Sequence, residues 1–271
     1  MNYRHSFHAG NFADLVKHAL VLWLVKVRQA AGPLTVFDTH AGAGLYDLSG
    51  DGARSNEAKA GVARLMSADG RTPLMDALAG EVAALNPDGG ARFYPGSPLL
   101  VADALTLGGR YIGFELNPPV RATLAEALTG RAYAEAREGD GYAAVVAEAA
   151  KVRGPLVLID PPFEKPDDYI RSAETAISVV RRDPTATVAI WTPLKDLETF
   201  DGFIRRLQGK AGPTLVAEAR LRPLTNPMKM NGCAMVVVNP PAGAEAAAAE
   251  ICGWVAGALG EAGGRAEVWT F

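Results

Sequence analysis

The sequence predicts an α/β fold on a mostly parallel sheet, and three observations predict it. Segments of strand character alternate with segments of helical periodicity from Arg110 onward, the order that lays helices on both faces of parallel strands. Leu156-Val157-Leu158-Ile159 is a continuous apolar run, as a strand buried on both faces requires. The last strand-like segments have no long helix between Leu221 and Cys233, which predicts an antiparallel edge. A chain of 271 residues can bury roughly 70% of its unfolded surface, so neither disulfides nor a structural metal is needed to hold it together.

Each element has a local reason. Phe12, Leu15, Val16, Ala19, Leu20, Trp23, Leu24 and Val27 repeat at helical spacing after Asn11, which predicts a helix with Asn11 near its N-cap. Gly32-Pro33 stops it. Leu34 to Phe37 reads as a buried strand delivering Asp38 into Thr39-His40-Ala41-Gly42-Ala43-Gly44, a small-residue turn suited to close backbone approach. Residues 47–92 interrupt the rhythm with short helical patterns at Glu57–Met66 and Leu74–Leu85. They are expected to form a helical insertion subdomain within a larger domain of residues 1–46 and 93–271. Tyr94 to Pro98 is expected to open a helix, with Ser97 as N-cap and Pro98 in the first turn. Strands are then expected at Arg110–Glu115, Ala132–Glu135, Leu156–Ile159, Thr187–Trp191, Thr214–Leu221, Cys233–Asn239 and Arg265–Phe271. Helices are expected at Pro119–Leu128, Asp140–Ala150, Asp168–Val180, Leu194–Gln208 and Ala244–Leu259.

Composition excludes several classes. A net charge of −3 argues against bulk polyanion binding, and the two cysteines, Cys233 and Cys252, point to a reducing compartment. Asp14, Lys26 and Arg28 around the apolar run Ala19–Val25 weigh against a secretion signal, and no apolar stretch approaches the roughly 18 residues of a membrane span. Gly42-Ala43-Gly44 is followed by Leu45-Tyr46-Asp47, so the dinucleotide fingerprint is absent; a P-loop and a nucleophile elbow are absent too. His5, His8, His18 and His40 lack metal-ligand spacing, and no metal is expected.

Three carboxylates stand at expected strand ends. Glu115 could accept hydrogen bonds from ribose hydroxyls or simply face solvent, and Asp140 could bind a base amino group or cap the helix that follows. Asp160-Pro161-Pro162-Phe163 is the most specific motif. Two prolines cannot continue a ladder, so they project a rigid turn offering the Asp160 carboxylate and the Pro161 carbonyl as acceptors, with Phe163 as an aromatic face. That set suits an amino group on an aromatic ring, its two hydrogens accepted while Phe163 stacks on the ring.

Tyr3-Arg4-His5-Ser6-Phe7-His8-Ala9-Gly10-Asn11, Asp14, Lys17-His18, the turn Asp38 to Gly44, Tyr94 to Pro98 and the Asp-Pro-Pro-Phe motif together resemble the bacterial ribosomal RNA large subunit methyltransferase J family, over nearly the whole chain. The resemblance implies a class I (Rossmann-like) S-adenosylmethionine-dependent methyltransferase with a small helical insertion, cytoplasmic and monomeric, methylating N6 of one adenine in 23S rRNA. It implies that Lys17, His18, His40, Ser97, Glu115, Asp140 and Asp160 line the S-adenosylmethionine pocket, with Asp160 also catalytic. Tyr3 and Arg4 would lie near the target base. Many members have Tyr where this chain has Phe163, so the resemblance leaves Phe163 a stacking role alone. RNA contacts are expected from Arg4, Lys17, Lys26, Arg28, Lys59 and Arg64, which cluster in sequence. The alternatives are a DNA adenine-N6 methyltransferase and a non-catalytic RNA-binding protein.

Overall fold

A computed structural model describes residues 8–49, 56–165, 167–225 and 230–271. Helix α1 (Phe12–Gln29) starts where Asn11 accepts hydrogen bonds from the N–H groups of Ala13 and Asp14, with Asp14 in the first turn and Lys26 and Arg28 in the last complementing the helix dipole. Strand β1 (Thr35–Asp38) follows, and after the small-residue turn β2 (Leu45–Asp47) pairs antiparallel with β3 (Phe93–Pro95), aligning Tyr46 with Tyr94. Between that pair lie the short helices α2 (Glu57–Ala60), α3 (Val62–Ser67) and α4 (Pro73–Ala84). These helices share their core with α1: Val62, Leu65, Met75, Leu78 and Val82 belong to one buried cluster with Leu15, Leu20 and Leu24.

The remaining chain is α5 (Ser97–Ala104), β4 (Arg110–Glu115), α6 (Pro118–Ala127), β5 (Ala134–Glu138), α7 (Gly141–Ala149), β6 (Leu156–Ile159), α8 (Asp168–Arg182), β7 (Thr187–Leu194), α9 (Leu197–Leu207), β8 (Thr214–Arg220), β9 (Gly232–Val238), α10 (Ala244–Leu259) and β10 (Arg265–Thr270). The main sheet has eight strands in the order β10-β8-β9-β7-β6-β1-β4-β5. From β5 to β7 all neighbours are parallel, while β9 runs antiparallel between β7 and β8, and β10 closes the edge antiparallel to β8. The antiparallel part therefore takes in three strands, β10, β8 and β9, with β9 paired antiparallel to β7. All four residues of β6 are buried, because helices cover both faces of the sheet.

Sequence and structure differ at several places: β2 is an additional strand, the pattern at Glu57–Met66 splits into α2 and α3 at Gly61, and β7 runs on to Leu194, so α9 begins at Leu197. The strand expected at Ala132–Glu135 runs from Ala134 to Glu138. Tyr94 and Pro95 form β3 instead of opening a helix, because they have β2 as a partner. The N-cap of α5 is Gly96, and Ser97 is the first helical residue.

Candidate active site

From β1 the chain order runs outward one way to β4 and β5, and the other way to β6 and β7. Such a reversal opens a crevice at the carboxyl ends of the strands, because the connections leave the two central strands in opposite directions. The turn after β1 spans it: Thr39 N–H donates to the Leu158 carbonyl of β6 at 3.0 Å, and Ala41 N–H to the Phe114 carbonyl of β4 at 3.0 Å. Close approach is built in. A Cβ on Gly141 would stand 1.9 Å from the Thr39 carbonyl oxygen, and Gly44 takes a φ of 80°. The floor of the crevice is fixed by Asp38, which accepts from Ser97 Oγ at 2.8 Å and Tyr111 hydroxyl at 3.2 Å. Burial raises the Asp38 carboxyl to about 6 against the Ser97 bond, and the Asp160 charge adds to the rise. Ser97 thus spends its hydroxyl on Asp38 and not on a helix cap.

A cavity of about 290 Å³ occupies the crevice and brings together Lys17, His18, His40, Ser97 and Asp160. Helix α1 delivers the first two. Lys17 Nζ lies 2.6 Å from Asp160 Oδ2 and 2.8 Å from Asp14 Oδ1, so one ammonium bridges two carboxylates. The side chains are only 12% exposed for Lys17, 15% for Asp160 and 17% for Asp14. Burial disfavours the charge on Lys17, but Asp14 and Asp160 outweigh it and hold the ammonium well above its ordinary range. Burial likewise opposes the charge on Asp14, and Lys17 with the Gly10 N–H holds it at about 2. His18 is buried beside Lys17 with Nδ1 2.7 Å from the Tyr94 hydroxyl; burial, then the Lys17 charge, lowers it to about 3, so it is neutral.

Glu115 and Asp140 stand outside that lining, at the ends of β4 and β5. Glu115 accepts from Gly42 N–H at 3.2 Å and Asn117 N–H at 2.8 Å. Asp140 caps α7 by accepting from Tyr142 N–H at 3.1 Å, and its other oxygen accepts from the Arg171 guanidinium. Arg171 lies 4.3 Å over the Tyr142 ring, and the other neighbour of that ring is His40, whose centroid is 4.8 Å away edge-on.

Phe163 takes a left-handed φ of 49°, and its ring is 8% exposed, packed on Tyr169 at 4.5 Å and Trp191 at 5.8 Å between centroids. Its stacking face is turned into the protein. Trp191 of β7, expected only as a strand end, lines the cavity together with Asp160 and Pro162, and Tyr46 lines it too. Also missed were Asp14 as the second carboxylate on Lys17, and Glu57, whose carboxylate lies 2.9 Å from His8 Nδ1 and accepts from Asn11 Nδ2 at 3.0 Å. The expected basic cluster does not form one surface. Lys17 is enclosed by carboxylates, while Arg28, 11 residues farther along α1, donates to the carbonyls of Gly154 and Thr185, just before β6 and β7 at the amino-terminal ends of those strands. Tyr3 and Arg4 lie outside the described residues.

A family model described as ribosomal RNA large subunit methyltransferase D, RlmJ, matches residues 31–271. A ribosomal RNA large subunit methyltransferase J of Escherichia coli (strain K12) is 31% identical over 245 residues, covering 89% of this chain and 88% of that protein. One of Haemophilus influenzae is 33% identical over 249 residues, with the same coverage of 89% and 88%. In fold, the chain is similar to protein LPL1258 of Legionella pneumophila, with a TM-score of 0.86 over 97% of this chain and 98% of that one, at 22% identity.

Proposed function

The chain belongs to the ribosomal RNA large subunit methyltransferase D, RlmJ, family, and from that membership we propose that it transfers a methyl group from S-adenosylmethionine to N6 of an adenine in 23S rRNA. The observation that carries the reading is the placement of Asp160 at the switch point, with one carboxylate oxygen held by Lys17 at 2.6 Å on a wall of the crevice.

The residues present fit the cofactor. Helix α5 has no side-chain cap, and Gly96 and Ser97 at its start line the cavity, a setting suited to a carboxylate. Glu115, at the end of β4, has lone pairs left for ribose hydroxyls beyond its two backbone donors. His18 and His40 add polar edges, and we assign Asp140, which stands outside the cavity lining and accepts from Tyr142 N–H and Arg171, to the adenine amino group at the far end. When bound, S-adenosylmethionine supplies an electrophilic methyl group on a sulfonium.

Asp160 Oδ2 is engaged by Lys17, and we assign Oδ1 to the target amino group. Asp160 and the Pro161 carbonyl would each accept one amino hydrogen, turning the nitrogen lone pair out of ring conjugation and toward the methyl donor. The carboxylate also offsets the positive charge that grows on nitrogen as the bond forms. No covalent enzyme intermediate is needed. Extrusion of the base from its stack costs a few kcal/mol, and the Trp191 wall supports the base where Phe163 is withdrawn. We assign Phe163 to shaping the turn and, once it is turned outward, to stacking. We assign Tyr3 and Arg4 to the target base. The chain would act as a monomer in the cytoplasm; among the described residues no helix is long and apolar enough to cross a membrane.

The test is transfer of labelled methyl from S-adenosylmethionine to unmodified 23S rRNA transcript, with mass mapping of the product and matched DNA oligonucleotides as controls. We expect N6-methyladenosine in RNA, and none with Asp160→Ala. Full transfer by Asp160→Ala, or preference for DNA, refutes the reading.

A further inference from the structure

The cavity is acidic, yet its proposed substrate is a polyanion. Asp14, Glu57 and Asp160 line it, and among the described residues the lysines that line it are Lys17 and Lys195. Lys17 is spent: Asp14 and Asp160 hold it between them. Lys195 is different. It is exposed, it follows β7 directly at the mouth, and it makes no ion pair among the described residues.

Its backbone is fixed even though its side chain is free. On one side Leu194 pairs with Gly232 in the sheet, and Asn231 Nδ2 lies 3.5 Å from the Lys195 carbonyl oxygen. On the other side Asp196 caps α9, accepting from Thr199 N–H at 2.8 Å and Thr199 Oγ1 at 3.1 Å. The ammonium is thus tethered to a rigid rim on the wall that carries Trp191 and Pro193. A base entering beside Asp160 brings its phosphodiester to the rim, where a cation offsets carboxylates that outnumber the lysines of the lining. A lysine there acts as a point charge for one phosphate oxygen, without reading sequence.

We propose that Lys195 is the phosphate contact of the target nucleotide, holding its backbone while the base is in the cavity. This rests on the RNA methylation reading above. As a contact with the RNA and not with the methyl donor, Lys195 sets RNA affinity and leaves cofactor affinity alone.

The experiment compares wild type with Lys195→Ala, Lys195→Glu and Lys195→Arg on unmodified 23S rRNA transcript over a potassium chloride series. Cofactor binding is measured separately by calorimetry with S-adenosylhomocysteine. Lys195→Ala should raise KM for RNA about three- to tenfold at low salt and reduce the salt slope of log affinity by roughly one, as loss of one phosphate contact does. Lys195→Glu should raise KM further, Lys195→Arg should keep the wild-type slope, and S-adenosylhomocysteine affinity should stay unchanged throughout. Unchanged KM and slope in Lys195→Glu overturn the proposal, and so does a loss confined to cofactor binding. If wild type transfers no methyl to RNA, the methylation reading fails. Filter retention of the transcript by wild type and Lys195→Glu then decides the phosphate contact separately: weaker retention by the variant supports it, and equal retention overturns it.

Discussion

Replacing Lys17 by Met keeps the length and apolar stem of the side chain and removes only the ammonium that bridges Asp14 and Asp160. Both carboxylates would then be left in a site where their side chains are 17% and 15% exposed. Breaking a buried ion pair from one side costs about 3–5 kcal/mol, because the remaining charge is uncompensated. The shift of Asp14 gives a check on that figure. Its drop from 3.8 to about 2 corresponds to roughly 2.5 kcal/mol of stability from this one carboxylate, present above its unfolded pKa and lost as pH falls through the folded one. For a chain of this size, such a loss lowers Tm by on the order of 10 °C. Thermal and urea unfolding at pH 7.5 measure it. Asp14→Asn in the Lys17→Met background should restore part of the loss, since it removes one of the stranded charges. A Lys17→Met variant within about 1 kcal/mol of wild type, or a double variant no more stable than Lys17→Met alone, would falsify the view that Lys17 neutralises this site.

Other outcomes follow from the same geometry. His18, held at about 3 by burial and the Lys17 charge, has a lowered folded pKa, so its contribution is present above 6.5 and lost as pH falls toward 3, on the order of 5 kcal/mol in all. His18→Gln should flatten the stability profile in that window, and an unchanged profile by urea titration would count against a neutral buried imidazole. Asp38, raised to about 6 by burial, has the opposite sign: its contribution is full below 3.8 and lost as pH rises through 6. Asp38→Asn should therefore remove a destabilising trend between pH 4 and 7, read in the same titration. Ser97→Ala takes a 2.8 Å donor from that carboxylate and should cost about 1.5–3 kcal/mol; a Tm equal to wild type would show the bond to be idle. Phe163→Ala removes a ring buried on Tyr169 and Trp191 and should cost about 3 kcal/mol in stability, whereas a purely exposed stacking ring would cost none.

What the sequence made legible was local or periodic. The apolar run of β6 and the prolines after it need no distant partner to be read, since a strand buried on both faces and a turn without N–H donors are properties of the residues themselves. Asn11 is of the same kind, because its cap bonds reach only to Ala13 and Asp14. The features that escaped depend on contacts far along the chain. Lys17 meets Asp160 across 143 positions, and His18 meets Tyr94 across 76. Ser97 before Pro98 satisfies every local rule for an N-cap, yet the buried Asp38 carboxylate is a stronger claim on its hydroxyl. Phe163 and Trp191 exchanged expected places for a related reason. The left-handed turn at Phe163 swings its ring onto Tyr169, and that orientation is set by backbone torsion, not by residue type.

On the proposed reading one pocket receives a sulfonium and a polyanion, and the placement of charge has to serve both. Asp14, Glu57 and Asp160 make the interior favourable to a cation and to the positive charge that develops on an amino nitrogen. Left alone, the same set would repel RNA and would also strain the fold, since two of these carboxylates are largely buried. Lys17 resolves the second conflict from inside, since its one ammonium is set against both Asp14 and Asp160. It cannot resolve the first, because its ammonium lies between two carboxylates and does not face the mouth as a free charge. A second cation at the rim is what the substrate requires, and Lys195 stands where that cation is needed. The interior and rim lysines are therefore not interchangeable. Moving the charge of either should damage a different quantity, fold stability and turnover for Lys17, RNA affinity for Lys195.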